Sequence, residues 1–297
     1  MNVVVTGAAG HLGSHLVPKL QCAGFTVTGI DLAPAPPALA GRCRFLQLDL
    51  AAGDGLAAAL EGAAMVLHCA SIHPWKPYSD AQYLDANVKG TWMLYAAAAQ
   101  VGIDRVVLTS SIAACGYMAV PTDAWPLTEE YESPLGDLYS YTKHCQEQCA
   151  RLYADRGQIR TLALRPPAFM PVSELETGFR LTGCFAVVED VVAAHLAAAQ
   201  VLAGVREPGA PLRPFEAFFV TNRLPYTRED AASLGSPPDV RPLVRKYWPE
   251  AYEWLCERGF SGGWLPAVYD CTKAERMLGW RPALSFPEWF AQHRDRL

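Results

Sequence analysis

Residues 3–16 read VVVTGAAGHLGSHL, and the fold turns on them. Val3, Val4 and Val5 form a short continuous apolar run, the mark of a strand buried on both faces. Gly7, Gly10 and Gly13 follow in a G-x-x-G-x-x-G frame, and a helix pattern runs on from His11 to Ala23. Glycines at this spacing permit a tight turn. They let the backbone of Gly10, His11, Leu12 and Gly13 approach a pyrophosphate, which the positive helix N-terminus attracts. The next strand, FTVTGID, closes on Asp31, eighteen residues beyond Gly13. A carboxylate there accepts hydrogen bonds from a ribose and repels a 2′-phosphate. No Arg follows it, so NAD is expected in preference to NADP. His11 and His15 have the i, i+4 spacing of a metal pair, but their place in the phosphate turn favours cofactor contact or surface exposure.

Outward from this unit, strand and helix keep alternating. The strand CRFLQLDL leads to a helix over Gly53–Glu61, and the strand AAMVLHCA to a long helical stretch over Asp80–Val101. The strand DRVVLTSS is followed by a helix over Leu138–Asp155 and the strand IRTLALR. This order predicts an α/β protein with a doubly wound parallel sheet of the Rossmann type. Residues 1–165 form the expected NAD-binding domain. Residues 166–297, dense in proline and aromatics, form a small C-terminal substrate lobe interleaved with returns to the main sheet. That lobe has a helix over Glu189–Leu202, a strand-like FEAFFVTN, and an aromatic segment over 244–264 that reads as irregular. Asp49 and Leu50 fall where an adenine would lie, and Cys69, Ala70 and Ser71 where the chain passes under the cofactor.

Half of the 297 residues are apolar, enough for a full core, and the net charge of −5 gives no reason to expect nucleic acid or an anionic membrane as partner. No apolar run reaches the roughly 18 residues of a spanning helix. The N-terminus runs straight into a strand instead of showing a signal-peptide pattern. Nine cysteines are scattered with no C-x-x-C pair, which points to reduced thiols in a cytoplasmic protein. Cys145 and Cys149 offer only half a zinc site, so no metal is expected.

Chemistry concentrates in YSYTK, residues 139–143. Tyr139 and Lys143 stand four apart on a helix and share a face. A free Tyr, with a pKa of about 10, is a poor base at neutral pH. A neighbouring ammonium stabilises the phenolate, which can then take a proton from a substrate hydroxyl. Ser111, at the end of VVLTSS, is placed to hold the same oxygen.

Together with TGAAGHLG, NVKGT (Asn87–Thr91), LTSSIAACG, LRP, VVEDVVAAH and DCTKAERMLGWRP, this motif resembles the extended short-chain dehydrogenases/reductases over nearly the whole chain. The resemblance implies Ser111, Tyr139 and Lys143 as catalytic residues, and Asn87 as the helix Asn near the active site. Members acting on nucleotide sugars carry a longer stretch before the acidic helix start than Arg165–Asp190 offers here. The shorter arrangement resembles uronate dehydrogenases, which oxidise a free cyclic sugar acid with NAD. That implies Arg180 as the partner of a substrate carboxylate and places Ser71 and His73 on the sugar side. Longer than in that group are the loop SIHPWKPYSD and a region holding Trp248, Trp254 and Trp264. The alternatives are an epimerase of NDP-sugars with tightly held NAD, a reductase of a hydrophobic ketone, and an NAD-binding scaffold without turnover. The helices over Asp80–Val101 and Leu138–Asp155, the family's usual contact faces, point to a homodimer.

Overall fold

The computed structural model describes residues 1–116, 124–234, 239–262 and 267–297, so Trp264 lies outside the described residues. In chain order the first half runs β1 (Asn2–Thr6), α1 (His11–Cys22), β2 (Thr26–Asp31), β3 (Arg44–Gln47), α2 (Leu56–Leu60), β4 (Met65–His68) and α3 (Asp80–Tyr83). A π-helical turn, Leu84–Lys89, leads into α4 (Gly90–Gln100) and β5 (Arg105–Thr109). A 3₁₀ turn, Ile112–Cys115, precedes α5 (Leu138–Asp155) and β6 (Arg160–Arg165). The remainder comprises α6 (Glu174–Leu181), α7 (Val188–Leu202), β7 (Phe215–Phe219), α8 (Arg228–Ala232), α9 (Arg241–Tyr247), α10 (Pro249–Glu257), α11 (Thr272–Leu278) and α12 (Phe286–His293).

Among the described residues seven strands form one sheet, all paired in parallel, in the order β3-β2-β1-β4-β5-β6-β7. Strand order reverses between β1 and β4, and in such sheets ligands bind at the carboxyl ends beside that reversal. Alternate side chains leave the sheet on opposite faces. Val3 and Val5 join the core under α1 and α7, whereas Val4 joins the one beneath α2, α4 and α5. Burial on both faces explains the unbroken valine run.

Two expectations need correction. The helix over Asp80–Val101 is not continuous α-helix, because six residues open into a π turn. The aromatic segment is not irregular: it folds as α9 and α10, joined through Trp248 with Pro249 at the first turn of the second. Trp248 packs at a tilt against Tyr226 and Phe286, and Trp254 meets Trp289 and Phe290 edge-on, so both pack among aromatics of the C-terminal third. Among the described residues no helix is long and apolar enough to cross a membrane.

Candidate active site

The glycine turn is shaped by close backbone approach. Gly7 has φ +68°, and a Cβ there would come within 2.7 Å of the Ala70 amide nitrogen. A Cβ on Gly13 would strike the Gly7 carbonyl and lie 2.6 Å from the Ala8 Cα. Only glycine fits either place. Gly10 is the N-cap of α1, so the first amides of that helix face the crevice. Leu12 turns its side chain into the core, leaving its backbone to the turn. His11 stacks on Phe169 with centroids 6.2 Å apart and meets His15 edge-on at 4.9 Å. Burial, then the His15 charge, holds it below its usual pKa.

Asp31 ends β2 with one carboxylate oxygen on the Ala9 amide and the other on the Ala33 amide, each at 2.9 Å. A carboxylate accepts about four hydrogen bonds, so each oxygen keeps capacity for a ribose hydroxyl. Glycine turn, helix start and fixed carboxylate together fit a dinucleotide. Asp49 lies two residues beyond β3, exposed, and accepts the Ala51 amide at 2.8 Å, while the Leu50 side chain belongs to the core.

Asn87 sits on the π turn with no exposed surface. Its Oδ1 accepts from Ser71 Oγ at 3.0 Å and the Ile72 amide at 2.8 Å. Its Nδ2 donates to the Ile72 carbonyl at 2.9 Å and to Thr142 Oγ1 at 3.0 Å. All four hydrogen-bonding positions of the amide therefore go to protein groups. Asn87 clamps the start of the 71–79 loop to α5, and its position on a π turn fits the habit of such turns to occur at functional sites.

Helix α5 is capped by Asp137, whose carboxylate accepts the Ser140 amide at 2.7 Å. Lys143 lies almost fully buried on its inner face, with Nζ donating to the Thr109 carbonyl at 3.0 Å and standing 5.9 Å from the Tyr139 ring centroid. One turn further on, Glu147 accepts from Ser110 Oγ at 2.6 Å and forms a two-pronged buried ion pair with Arg165, both contacts at 2.8 Å. Burial pushes the Glu147 pKa up, but Arg165 and the Ser110 hydroxyl outweigh it and leave it low. These contacts fix the end of β5 against α5. Ser111 follows directly as the cap of the 3₁₀ turn, accepting the Ala113 amide at 3.2 Å.

Burial lowers Lys143 to about 7, against the opposing pull of Cys69 and Glu147. Its ordinary value is about 10.4. Between those values the native chain binds fewer protons than the unfolded chain, so stability rises with pH from about 7 to about 10. Below pH 7 the full penalty of a buried ammonium remains. Lys143→Met is therefore expected to stabilise the cofactor-free protein at pH 6 by up to a few kcal/mol, less about 1 for the orphaned Thr109 carbonyl. Urea unfolding at pH 6 and 9 checks this, and the gain must shrink at the higher pH.

Two buried histidines, neither expected as site residues, complete the support. Thr91 donates to the Asn87 carbonyl at 2.6 Å, so it accepts from His68 Nε2 at 2.9 Å. His68 Nδ1 then accepts from Thr6 Oγ1 at 2.7 Å, which itself accepts the Ala70 amide. His195 donates through Nδ1 to the Val191 carbonyl at 2.8 Å, leaving Nε2 to accept from Thr109 Oγ1 at 2.7 Å. Burial holds their pKa values at about 3 and about 4, so both rings are neutral. Thr91, Thr109 and His195 stand in the quoted stretches NVKGT, LTSS and VVEDVVAAH, the only signal that could have marked them.

Cys69 is half-buried beside Thr109 and Lys143, its thiol pushed up to about 11 mainly by burial. His73 is exposed on the following loop. Arg180 lies on α6, where Gly178 lets the Trp289 ring of α12 pack closely. Its Nε already holds Glu176 of the same helix at 2.7 Å, and its Nη1 contacts Met170 sulfur at 3.1 Å. Among the described residues no cluster of three or more His, Cys, Asp or Glu is arranged to hold a metal.

Residues 3–172 match the NAD dependent epimerase/dehydratase family. A putative dihydroflavonol 4-reductase of Synechocystis sp. is 33% identical over 52% of this chain, and uronate dehydrogenase of Pseudomonas syringae pv. tomato 29% over 57%. The chain spans only 45% and 60% of those two relatives' lengths. Sterol-4-alpha-carboxylate 3-dehydrogenase, decarboxylating, of Bos taurus is 25% identical over 96% of this chain and 89% of its own. The crystal structure of uronate dehydrogenase from Agrobacterium tumefaciens superimposes with TM-score 0.69 at 22% identity, over all of this chain and 89% of that one; this likeness shows the fold.

Proposed function

The chain belongs to the NAD dependent epimerase/dehydratase family, and from that premise we propose that it is an NAD-dependent dehydrogenase acting on a hydroxyl of a small, unactivated cyclic substrate that carries a carboxylate. The observation that carries this reading is Lys143, buried one helical turn from Tyr139 and bonded to the end of the strand that leads to Ser111. A buried ammonium is costly, and it is tolerated where it tunes a neighbouring group.

Bound NAD supplies the acceptor for the hydride leaving the substrate carbon. The work of the chain is to position and move the proton. Ser111 Oγ donates to the substrate oxygen, and the Tyr139 phenolate takes that oxygen's proton. Lys143 holds the phenolate form by its charge. Asp31 and the glycine turn fix the cofactor's other end, away from the reacting carbon.

Substrate size is read from the lobe. Between Arg165 and Val188 stands a single short helix, α6, which leaves little chain to enclose a nucleotide. Two relatives are named for a uronate and a sterol-4-alpha-carboxylate, and both names carry a carboxylate, which supports an acidic ring substrate. The outer faces of α4 and α5 expose Trp92 and Tyr141, favouring a homodimer that sedimentation would reveal.

The test is NADH formation by purified protein and NAD with free uronic acids, neutral aldoses, nucleotide sugars and steroid alcohols with and without a carboxylate. Turnover confined to the carboxylated members is the expected result. Epimerisation of a nucleotide sugar without NADH release would replace this reading by the epimerase.

A further inference from the structure

The loop over 72–79 follows the carboxyl end of β4, and its start is tied through Asn87 to the part of α5 that bears Tyr139 and Lys143. Its first residue is fixed by Asn87, which bonds both the amide and the carbonyl of Ile72 and ties them to Thr142, the neighbour of Lys143. Its far end is fixed by a capping box at Ser79 and by Tyr78 packing edge-on against Tyr83 at 6.0 Å. Helix α3, which follows, packs on α5. Between these anchors Trp75 is 53% exposed, and Lys76 is exposed as well. Among the described residues neither has a hydrogen bond, ion pair or ring contact.

A single exposed indole or ammonium is ordinary on a protein surface; what marks this pair is its place, three and four residues beyond Ile72, which Asn87 ties to Thr142 on the helix that carries Tyr139 and Lys143. The position says which partner. His73, two residues before Trp75, is held below its ordinary pKa by partial burial and then by the charges of Lys143 and Lys76. The loop tip and the buried lysine thus share one electrostatic neighbourhood. Arg180, the alternative cation, already holds the Glu176 carboxylate.

Resting on the dehydrogenase reading above, we propose that Trp75 and Lys76 grip the substrate, the indole lying against an apolar ring face and the ammonium pairing with a carboxylate on that ring. The ligand class is a carboxylated cyclic alcohol. Aromatic faces accept the C–H face of a sugar ring and the flat face of a fused hydrocarbon alike. The ammonium selects the acid over its neutral counterpart. Arg180 then serves to brace α6.

The experiment compares wild type with Trp75→Ala, Lys76→Gln and Arg180→Met, all loaded with NAD. Each meets two matched pairs: a free uronic acid with its neutral aldose, and a steroid carboxylate with its neutral alcohol. KM and kcat are read from NADH, and ligand binding separately by calorimetry on the Tyr139→Phe holoprotein with and without each change. Lys76→Gln is expected to raise KM for the acid of one pair about tenfold, equivalent to ~1.4 kcal/mol, with kcat and the neutral partner unaffected. Trp75→Ala should raise KM for both members of that pair. The responding pair distinguishes a sugar acid from a fused-ring acid. Unchanged KM in both loop variants overturns the proposal, as does an acid-specific loss in Arg180→Met alone. If nothing is turned over but calorimetry shows acid binding that Lys76→Gln removes, the dehydrogenase reading fails and the grip stands. If no acid binds, the grip fails too.

Discussion

Replacing Tyr139 by Phe is expected to lower kcat by a factor on the order of 10²–10⁴, the range that a positioned general base contributes, with NAD still bound. Phe keeps the ring and its 5.9 Å relation to Lys143 Nζ but removes the oxygen that receives the proton. Tyr141 supplies the control. It lies two residues on, around the far side of the helix, and is 48% exposed. A hydrogen bond with Cys145 raises its pKa, the wrong direction for a base. Tyr141→Phe should turn over like wild type. Stopped-flow NADH formation reads both. A Tyr139→Phe protein within about tenfold of wild type, a difference of ~1.4 kcal/mol in barrier, would remove Tyr139 from the chemistry.

Loss of the Glu147 carboxylate is the second large effect. Glu147 and Arg165 side chains are 4% and 5% exposed, and Arg165 also donates to the Glu129 carbonyl at 3.0 Å. Glu147→Ala leaves a guanidinium in the core without its paired carboxylate and takes the acceptor from Ser110. Breaking a buried pair from one side costs about 3–5 kcal/mol. A surface pair sets the scale for comparison: Asp104 and Arg105 are 64% and 37% exposed, and Asp104→Asn should cost no more than about 1 kcal/mol. Urea midpoints measure the difference. If the two variants unfold alike, the buried pair is not what joins β5, α5 and β6. Because Ser110 adjoins Ser111, Glu147→Ala should also reduce turnover at temperatures where the variant remains folded.

The glycine frame and Asp31 were legible in sequence because each meets a local requirement. Gly7 needs positive φ, Gly13 needs the absence of a Cβ, and Asp31 needs only to end a strand. Helix α5 was legible for a similar reason, since Asp137 caps it and its inner face repeats every three to four residues. The π turn was not. Over six residues a wider helix leaves no period distinguishable from 3.6, and Asn87 is carried on that turn. Helices α9 and α10 were hidden by their junction, where Trp248 and Pro249 interrupt both patterns and the aromatics face one another inside the lobe. The pairings that hold the site rigid join residues far apart in the chain: Glu147 with Arg165, Thr109 with His195, Thr6 with His68. No local rhythm reports such partners. Arg180 was legible as a cation near the lobe, but its partner Glu176 became visible only once α6 placed them a turn apart.

The two neutral imidazoles bear on descent. From Thr6 through His68 to Thr91, every hydroxyl and ring nitrogen donates or accepts in one fixed direction. A lone substitution in that series strands its neighbour inside the core, at a cost of about 1–3 kcal/mol, a cost that paired replacement avoids. The side chains of His73, Trp75 and Lys76 hold no hydrogen bond to any other described residue. Drift can rewrite that strip one residue at a time. A descendant of this chain that takes a new substrate is expected to change there first, in front of a hydrogen-bond series that any single substitution disrupts.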